Sequence, residues 1–173
     1  MTLTPHVTVP AALLADLNSV WAIFPPPPEV PPWALERKEI GNRAEAYSVQ
    51  LERSRVRDPA LVAWVARDTD ALGWDVEVRT ANPVRCIEVK GSREPDVVFF
   101  MSQNEWQQAA SLGGRYEVHF WGEIALKREP AVEYATLVAS GYPVVLADPA
   151  ALVQRNDYSA TAVRWRIEKP PTK

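Results

Sequence analysis

Residues 73 to 90 contain two short segments in which apolar and polar side chains alternate. Alternation with a period of two is typical of β-strands, because successive side chains of a strand point to opposite faces of the sheet. The residues from Thr80 to Pro83 predict a turn between the two segments, and therefore an antiparallel hairpin. The register of that hairpin places Asp75 directly opposite Glu88, so two carboxylates are expected side by side.

These paired carboxylates favour a cation between the strands. Cross-strand neighbours have Cβ atoms roughly 4.5 to 5.5 Å apart, and like charges at that distance destabilise a sheet. Mg²⁺ is usually held by one or two carboxylates together with water and phosphate oxygens. Asp75, Glu88 and the backbone carbonyl of Val89 form a suitable set, and Lys90 on the same face supplies positive charge near a bound phosphate. The alternative is a solvent-facing hairpin that carries these charges without binding a metal.

Four segments of the chain carry a family resemblance. The pair Asp75 and Glu88-x-Lys90 resembles the Asp…Glu-x-Lys signature of the PD-(D/E)XK nuclease superfamily. More narrowly, the chain resembles the domain at the C-terminus of the plant protein NO VEIN, which also occurs in bacterial restriction and helicase-linked proteins. The four segments are Gly41-Asn42-Arg43-Ala44-Glu45, Gly73-Trp74-Asp75, Ile87-Glu88-Val89-Lys90-Gly91-Ser92 and Ser102-Gln103-Asn104-Glu105-Trp106. They lie within residues 38 to 124, in the order that the family has.

The resemblance implies metal-dependent hydrolysis of phosphodiester bonds, with Mg²⁺ or Mn²⁺ as the cofactor and DNA as the substrate. It makes Asp75 and Glu88 metal ligands, and it makes Lys90 the residue that assists water attack or stabilises charge. The proline that gives the superfamily its name does not precede Asp75, because Trp74 stands there instead. Many members lack that proline, so its loss does not alter the expectation.

A helix is expected over residues 35 to 56, since apolar side chains recur there at helical spacing. The expected core stripe consists of Ile40, Ala44, Tyr47 and Leu51. Glu45 lies on the flank of this stripe, where a solvated glutamate is the default interpretation. The resemblance implies instead that Glu45 reaches toward the metal, and that Gly41 permits close approach of the helix to the sheet.

The clearest local signal is a capping box at Ser102 to Glu105. In this motif the serine hydroxyl and the glutamate carboxylate satisfy each other's exposed backbone N–H groups at the start of a helix. Gly113 and Gly114 are expected to end that helix. Capping explains Ser102 and Glu105 without any catalytic role, although both could lie at the rim of a site, where a helix N-terminus favours phosphate.

The elements expected from residue 37 onward are a helix, three strands, a short fourth strand, a second helix and a final strand. The strands outside the hairpin are expected at Leu61 to Arg67, Val97 to Phe100 and Tyr116 to Trp121. This order predicts an α/β fold with a mixed sheet. It matches the restriction-endonuclease-like αβββαβ core to which the resemblance also points.

The chain is expected to contain this core at residues 37–128, preceded by an N-terminal segment at 1–36 and followed by an extension of the same domain at 129–173. The N-terminal segment reads as an amphipathic helix at 9–24 and an extended proline strap, which either packs on its own domain or docks another subunit. The extension is expected to contain a helix at Ala131 to Ser140, a strand at Val144 to Ala147, a short helix at Asp148 to Gln154 and a closing strand at Thr161 to Glu168.

The charge of the chain gives limited support to nucleic-acid binding. The formal net charge is −3, whereas a protein that binds DNA through many phosphates usually carries a basic excess. The candidate nucleic-acid-binding side chains are Arg43, Arg53, Arg55, Arg57, Lys127 and Arg128. We therefore expect weak DNA affinity on its own, or delivery of the substrate by a protein partner or a second copy of the chain.

Other functional classes lack their sequence signals. The chain has no glycine-rich phosphate loop and no Gly-x-Ser-x-Gly elbow, and its two histidines lie far apart. A single cysteine, Cys86, excludes an internal disulfide. No apolar run is long enough to cross a bilayer, and no basic leader opens the chain, so we expect a cytoplasmic protein without membrane contact.

The function expected from the sequence is that of a magnesium-dependent endo- or exodeoxyribonuclease, within a restriction or antiviral defence system. The alternative is a catalytically silent adaptor with a nuclease-like fold, which binds nucleic acid or docks a helicase or methyltransferase. An intact set of Asp75, Glu88 and Lys90 favours the enzyme, while the acidic balance favours dependence on a partner.

Overall fold

The computed structural model describes residues 30–69, 71–80 and 83–161. The helix expected at 9–24, most of the proline-rich segment and the strand expected beyond residue 161 lie outside these residues. The chain divides into two units, residues 1–35 and residues 36–173. The second unit contains every strand described below.

The described residues form four α-helices and five β-strands. The helices are α1 (Pro32–Arg55), α2 (Gln103–Leu112), α3 (Pro130–Ala139) and α4 (Pro149–Gln154). The strands are β1 (Val62–Trp64), β2 (Val76–Val78), β3 (Arg85–Gly91), β4 (Tyr116–Trp121) and β5 (Val144–Ala147). The expected α/β class with a mixed sheet is therefore confirmed, and β4 and β5 have the expected bounds.

The strands form one sheet in the order β1-β2-β3-β4-β5. Only β3 and β4 are parallel, and α2 lies between them in the sequence. The hairpin of β2 and β3 is antiparallel, with Val76 opposite Ile87 and Glu77 opposite Cys86. The pairing ends at Val76, so Asp75 directly precedes the paired residues of β2.

The two faces of the sheet carry separate apolar cores. The core beneath α1 and α3 includes Ile87 and Val89 of β3, whereas the core beneath α2 and α4 includes Cys86 of the same strand. Every residue of the expected α1 stripe, Ile40, Ala44, Tyr47 and Leu51, is buried in the first core. Because β3 is covered on both faces, its apolar positions are buried on each side.

Helix α1 begins at Pro32, where the proline strap was expected to continue. The carbonyl of Pro31 accepts hydrogen bonds from the amides of Ala34 and Leu35, at 2.8 and 3.3 Å. Proline is well tolerated in a first helical turn, because the N–H that it lacks would have no intrahelical partner there. Helix α1 therefore begins earlier than the proline content alone indicates.

The segment from Val97 to Phe100 is not a strand, although its side chains alternate as expected. Val97 and Phe99 pack against the core beneath α2, while Val98 and Phe100 are exposed. A strand also needs hydrogen bonds to a neighbouring strand, and this segment is not part of the five-stranded sheet. Alternation alone does not show whether a segment finds such a partner.

None of the helices in the described ranges is both long enough and apolar enough to cross a membrane.

Candidate functional site

Asp75 and Glu88 meet where β2 begins. The backbone N–H of Asp75 donates to the carbonyl of Ile87 at 2.9 Å, so the residue before β2 also bonds to β3. Its Oδ2 atom accepts a hydrogen bond from the N–H of Val89 at 2.7 Å. The side chain of Asp75 thus takes the place that a further residue of β2 would fill, and it is held beside the exposed edge of β3.

The carbonyl of Val89 faces the same edge of β3. In an extended strand, the N–H and C=O of one residue point to the same side, and those of its neighbours point to the other. Because the N–H of Val89 reaches Asp75, the Val89 carbonyl also lies on the side where β2 has ended. A backbone oxygen is therefore available next to the two carboxylates.

Two contacts with other elements fix the segment before Asp75. The hydroxyl of Tyr116 on β4 donates to the carbonyl of Gly73 at 2.8 Å, and the Asn104 side-chain amide on α2 donates to the carbonyl of Ala71 at 3.1 Å. Gly73 has a φ of +81°, and a Cβ atom there would lie 2.9 Å from Asn104 Nδ2. Gly73 thus lets the chain turn tightly against α2 before Asp75 enters the sheet.

Lys90 forms the cationic part of the site. Its Nζ atom lies 2.6 Å from Glu88 Oε1 and 2.9 Å from Glu105 Oε2. Burial by itself lowers the pKa of Lys90, but Glu88 and Glu105 outweigh that effect and leave the pKa above its usual value. Lys90 therefore remains charged at neutral pH.

The expected capping box of α2 is confirmed. Ser102 Oγ accepts from the Glu105 amide at 3.2 Å, and Glu105 Oε2 accepts from the Ser102 amide at 3.0 Å. The same Glu105 oxygen binds Lys90. Glu105 consequently has a second role that capping did not indicate, because it joins the start of α2 to the end of β3.

Glu88 and Asp75 are held in an environment that disfavours their charge. Glu88 is buried and Asp75 is half-buried. Burial raises the pKa of Asp75, and the neighbouring Glu45 raises it further. Burial also raises the pKa of Glu88, and Asp75 adds to that effect. Two adjacent carboxylates with raised pKa values are typical of sites that hold a cation or exchange a proton.

Glu45 approaches the site from α1, and Trp64 orients it. Glu45 is half-buried, on the flank of the stripe as expected, and its Oε2 atom accepts from Trp64 Nε1 at 2.7 Å. The charge of Glu45 raises the pKa of Asp75, so Glu45 lies within electrostatic reach of that carboxylate. The contact of Trp64 with Glu45 has no local signal in the sequence, because the two residues lie on different elements, β1 and α1.

The glycine that permits close contact of α1 with the sheet is Gly91, not Gly41. A Cβ atom at Gly91 would lie 2.9 Å from the carbonyl oxygen of Ile40 and 3.0 Å from the Cβ of Ala44. At Gly41, such an atom would have no neighbour within 4 Å. The expectation for Gly41 was wrong, because a side chain at this position would meet open space and no close approach depends on it.

The candidate nucleic-acid-binding cations are distributed over several parts of the described surface. Arg43 donates to Glu133 Oε2 and to the carbonyls of Leu126 and Arg128, each at 3.0 Å. Its guanidinium thus serves internal contacts, and we assign it no nucleic-acid contact. The other candidates are exposed. Near the end of α1, Arg55 pairs with Glu52, Arg53 lines a cleft beside Trp64, and Arg57 follows the helix. Lys127 and Arg128 line a separate cleft of about 560 Å³ near α3.

The chemistry of the donors determines which metals the site suits. Within the described ranges, no three His, Cys, Asp or Glu side chains converge as a metal site. Two carboxylates and the Val89 carbonyl nevertheless form an oxygen-only set, which suits Mg²⁺ or Mn²⁺ because such ions take their remaining ligands from water and phosphate. The residues that are present therefore fit a hard divalent cation shared with a substrate.

The comparison with known proteins covers the part of the chain that builds this site. No match was found among curated proteins or among solved structures. A family model does match, and its range includes Glu45, Asp75, Glu88, Lys90 and Glu105. Residues 44–124 of this chain match the family described as Protein NO VEIN, C-terminal.

Proposed function

We propose that the chain is a metal-dependent deoxyribonuclease whose site is formed by Asp75, Glu88 and Lys90. The observation that carries this proposal is that two partly or fully buried carboxylates lie at the same point of β3: Asp75 accepts from the amide of Val89, the residue after Glu88, and a lysine ammonium lies 2.6 Å from Glu88. Buried carboxylates that disfavour their own ionisation are retained at a cost in stability. A function that uses their charge explains that cost.

Each residue has a defined task in this proposal. Asp75, Glu88 and the Val89 carbonyl hold the cation, which when bound would polarise the scissile phosphate and lower the pKa of the attacking water. Lys90 places its ammonium beside the reacting phosphate, where it offsets the negative charge that develops. Glu105 and Glu88 hold that ammonium in position. Glu45, held by Trp64, supplies a further negative charge toward Asp75.

A second candidate, the silent adaptor, is favoured by the same lysine. Because Lys90 already pairs with both Glu88 and Glu105, its ammonium neutralises part of the charge that a metal would otherwise neutralise. In that case the fold would serve as a scaffold for DNA or for a protein partner, such as a helicase or methyltransferase. The part in restriction or antiviral defence rests on the resemblance alone.

Metal-dependent cleavage of DNA tests the enzyme directly. The full chain would be incubated with supercoiled, linear and single-stranded DNA in Mg²⁺, in Mn²⁺ and in EDTA, beside Asp75→Asn, Lys90→Ala and Glu77→Gln. Glu77 is the matched control, since it is a nearby carboxylate on β2 that binds Trp74 and Arg79 instead. We expect wild type and Glu77→Gln to cleave, and the other two variants to lose about 10²-fold or more in rate.

Metal binding measured without substrate separates the two candidates. We expect Mg²⁺ or Mn²⁺ to raise the Tm of wild type and Glu77→Gln but not that of Asp75→Asn, because a ligand that binds only the folded state stabilises it. Cleavage that persists in Asp75→Asn would contradict the assigned site. Absence of cleavage and of any metal effect on Tm, with DNA or partner binding retained, would support the adaptor.

A further inference from the structure

A polar cleft of about 530 Å³ adjoins the candidate site on the side of α1 and β1. Its walls come from the second half of α1, from Trp64 at the end of β1 and from the 3-10 turn Val65–Arg67 that follows. The side chains with polar or aromatic groups in this wall are Gln50, Arg53, Trp64, Arg67 and Asp68. Its volume is within the range of pockets that bind small ligands.

Trp64 and Arg67 form a stacked pair in this cleft. The guanidinium carbon of Arg67 lies 5.2 Å from the centre of the Trp64 ring, which is the geometry of a cation–π contact. Trp64 is half-buried, whereas Arg67 is exposed. The pair therefore presents a planar guanidinium to solvent, supported from below by an indole. Such planes stack on unpaired nucleic-acid bases.

Two sets of hydrogen bonds connect the cleft with the candidate site. Trp64 Nε1 donates to Glu45 Oε2 at 2.7 Å. The amides of Val65 and Ala66, in the turn that carries Arg67, donate to the backbone carbonyl of Asp75 at 2.9 and 3.2 Å. Glu45 thus holds the indole of the stacked pair, and Asp75, one member of the carboxylate pair, holds the turn that carries Arg67, so the cleft adjoins the candidate site.

We infer that this cleft binds the DNA strand next to the scissile phosphate, and that the strand is unpaired there. A base stacks on the Arg67 guanidinium above Trp64, and Arg53 on the facing helix contacts its phosphate. A base inside a duplex offers no free face to such a platform, whereas every unpaired base does, whatever its identity. This inference rests on the proposed function, since it specifies single-stranded DNA as the substrate of the proposed nuclease.

DNA binding without metal tests the cleft independently of catalysis. Fluorescence anisotropy would be measured in EDTA with a labelled single-stranded oligodeoxynucleotide and with the same sequence as a blunt duplex. We expect wild type to bind the single strand more tightly than the duplex. Arg67→Ala and Arg53→Ala should each weaken single-strand binding by about fivefold or more.

The matched control is Arg155→Ala, because Arg155 is an exposed arginine at the end of α4 that pairs with Asp157. This variant removes the same charge and should bind like wild type. Arg67→Lys keeps the charge but lacks the planar group, so its affinity should be closer to that of Arg67→Ala than to that of wild type.

Three results would overturn the inference: no single-strand binding by wild type, equal affinity for the duplex, or equal losses in Arg155→Ala and Arg67→Ala. The cleavage assay shows whether the cleft or the proposed nuclease activity has failed. Single-strand binding that depends on Arg67, without cleavage, would retain the cleft and reject the nuclease. Cleavage that Arg67→Ala and Arg53→Ala leave unchanged would retain the nuclease and reject the cleft.

Discussion

Individual residues of this chain show a conflict between stability and the proposed chemistry. Asp75 has one oxygen satisfied by the Val89 amide at 2.7 Å, yet burial and Glu45 raise its pKa. Glu88 depends on Lys90 at 2.6 Å for its charge balance. The excess of negative charge at one point of the sheet edge is unfavourable for folding, and we expect neutralisation of one carboxylate to stabilise the protein.

Asp75→Asn should therefore raise the free energy of unfolding by roughly 1 kcal/mol in EDTA at pH 8, which corresponds to a Tm increase of about 2 to 4 °C. The asparagine oxygen can still accept the Val89 hydrogen bond. A carboxyl whose pKa is raised by folding binds more protons in the folded state, so its contribution to stability falls as the pH rises from its ordinary pKa through the raised value. The advantage of Asp75→Asn should accordingly shrink between pH 8 and pH 5, as thermal unfolding at several pH values would show. An advantage that grows as the pH falls would contradict the assigned cause.

At the scale of elements, the site depends on how closely α1 lies against β3. Gly91 ends β3 and leaves room for the Ile40 carbonyl and for Ala44. Glu45 follows Ala44 directly, so the distance between helix and sheet determines how far Glu45 extends toward Asp75. Helix α2 is held from the other side through Glu105 and Lys90. Helix α1 thus positions Glu45 at the site, and helix α2 positions Glu105 there.

Gly91→Ala should lower the free energy of unfolding by about 1 to 3 kcal/mol, because its Cβ would overlap the backbone of α1 and force the helix outward. The proposed cleavage should fall as well. The matched control is Gly41→Ala, on helix α1 itself. With no atom near its Cβ, it should instead add about 0.5 to 1 kcal/mol of stability, since alanine favours a helix over glycine. Urea unfolding measures both, and equal effects at the two positions would refute this packing argument.

At the scale of the whole domain, a buried charge joins α1, α3 and the loop after β4. Glu133 is fully buried and accepts from the Tyr47 hydroxyl at 2.7 Å, the Arg43 guanidinium at 3.0 Å and the Ala125 amide at 2.5 Å. Burial raises the pKa of Tyr47 to about 12, and its hydrogen bond to Glu133 contributes. This network fixes the helix that carries Glu45 to the loop at the end of β4.

Glu133→Gln should destabilise the domain by about 3 kcal/mol, because one amide cannot accept all three hydrogen bonds and the charge of Arg43 loses its buried partner. The control is Glu39→Gln, which removes an exposed glutamate 3.6 Å from the same arginine. Exposed pairs contribute little, so we expect a change of less than about 0.5 kcal/mol by urea unfolding. Similar losses of stability in both variants would show that the burial of Glu133 is not the cause of the destabilisation.

The sequence determined those features of the molecule that depend on local periodicity. Alternation within residues 73 to 90 predicted the antiparallel hairpin of β2 and β3, and the start of β2 brings Asp75 within electrostatic reach of Glu88. The capping box predicted the start of α2, because Ser102 and Glu105 satisfy backbone groups of their own turn. Both signals lie within short stretches of chain and need no knowledge of distant residues.

Only the tertiary structure decided how distant segments meet. The contact of Trp64 with Glu45, the room that Gly91 leaves for α1, and the burial of Glu133 against Arg43 join residues that local spacing does not relate. The segment at Val97 to Phe100 alternates like a strand but does not pair with the sheet. The physical reason is the same in each case: hydrogen bonding within a turn or hairpin is settled by the neighbouring residues, whereas packing depends on which surfaces compete for the same space.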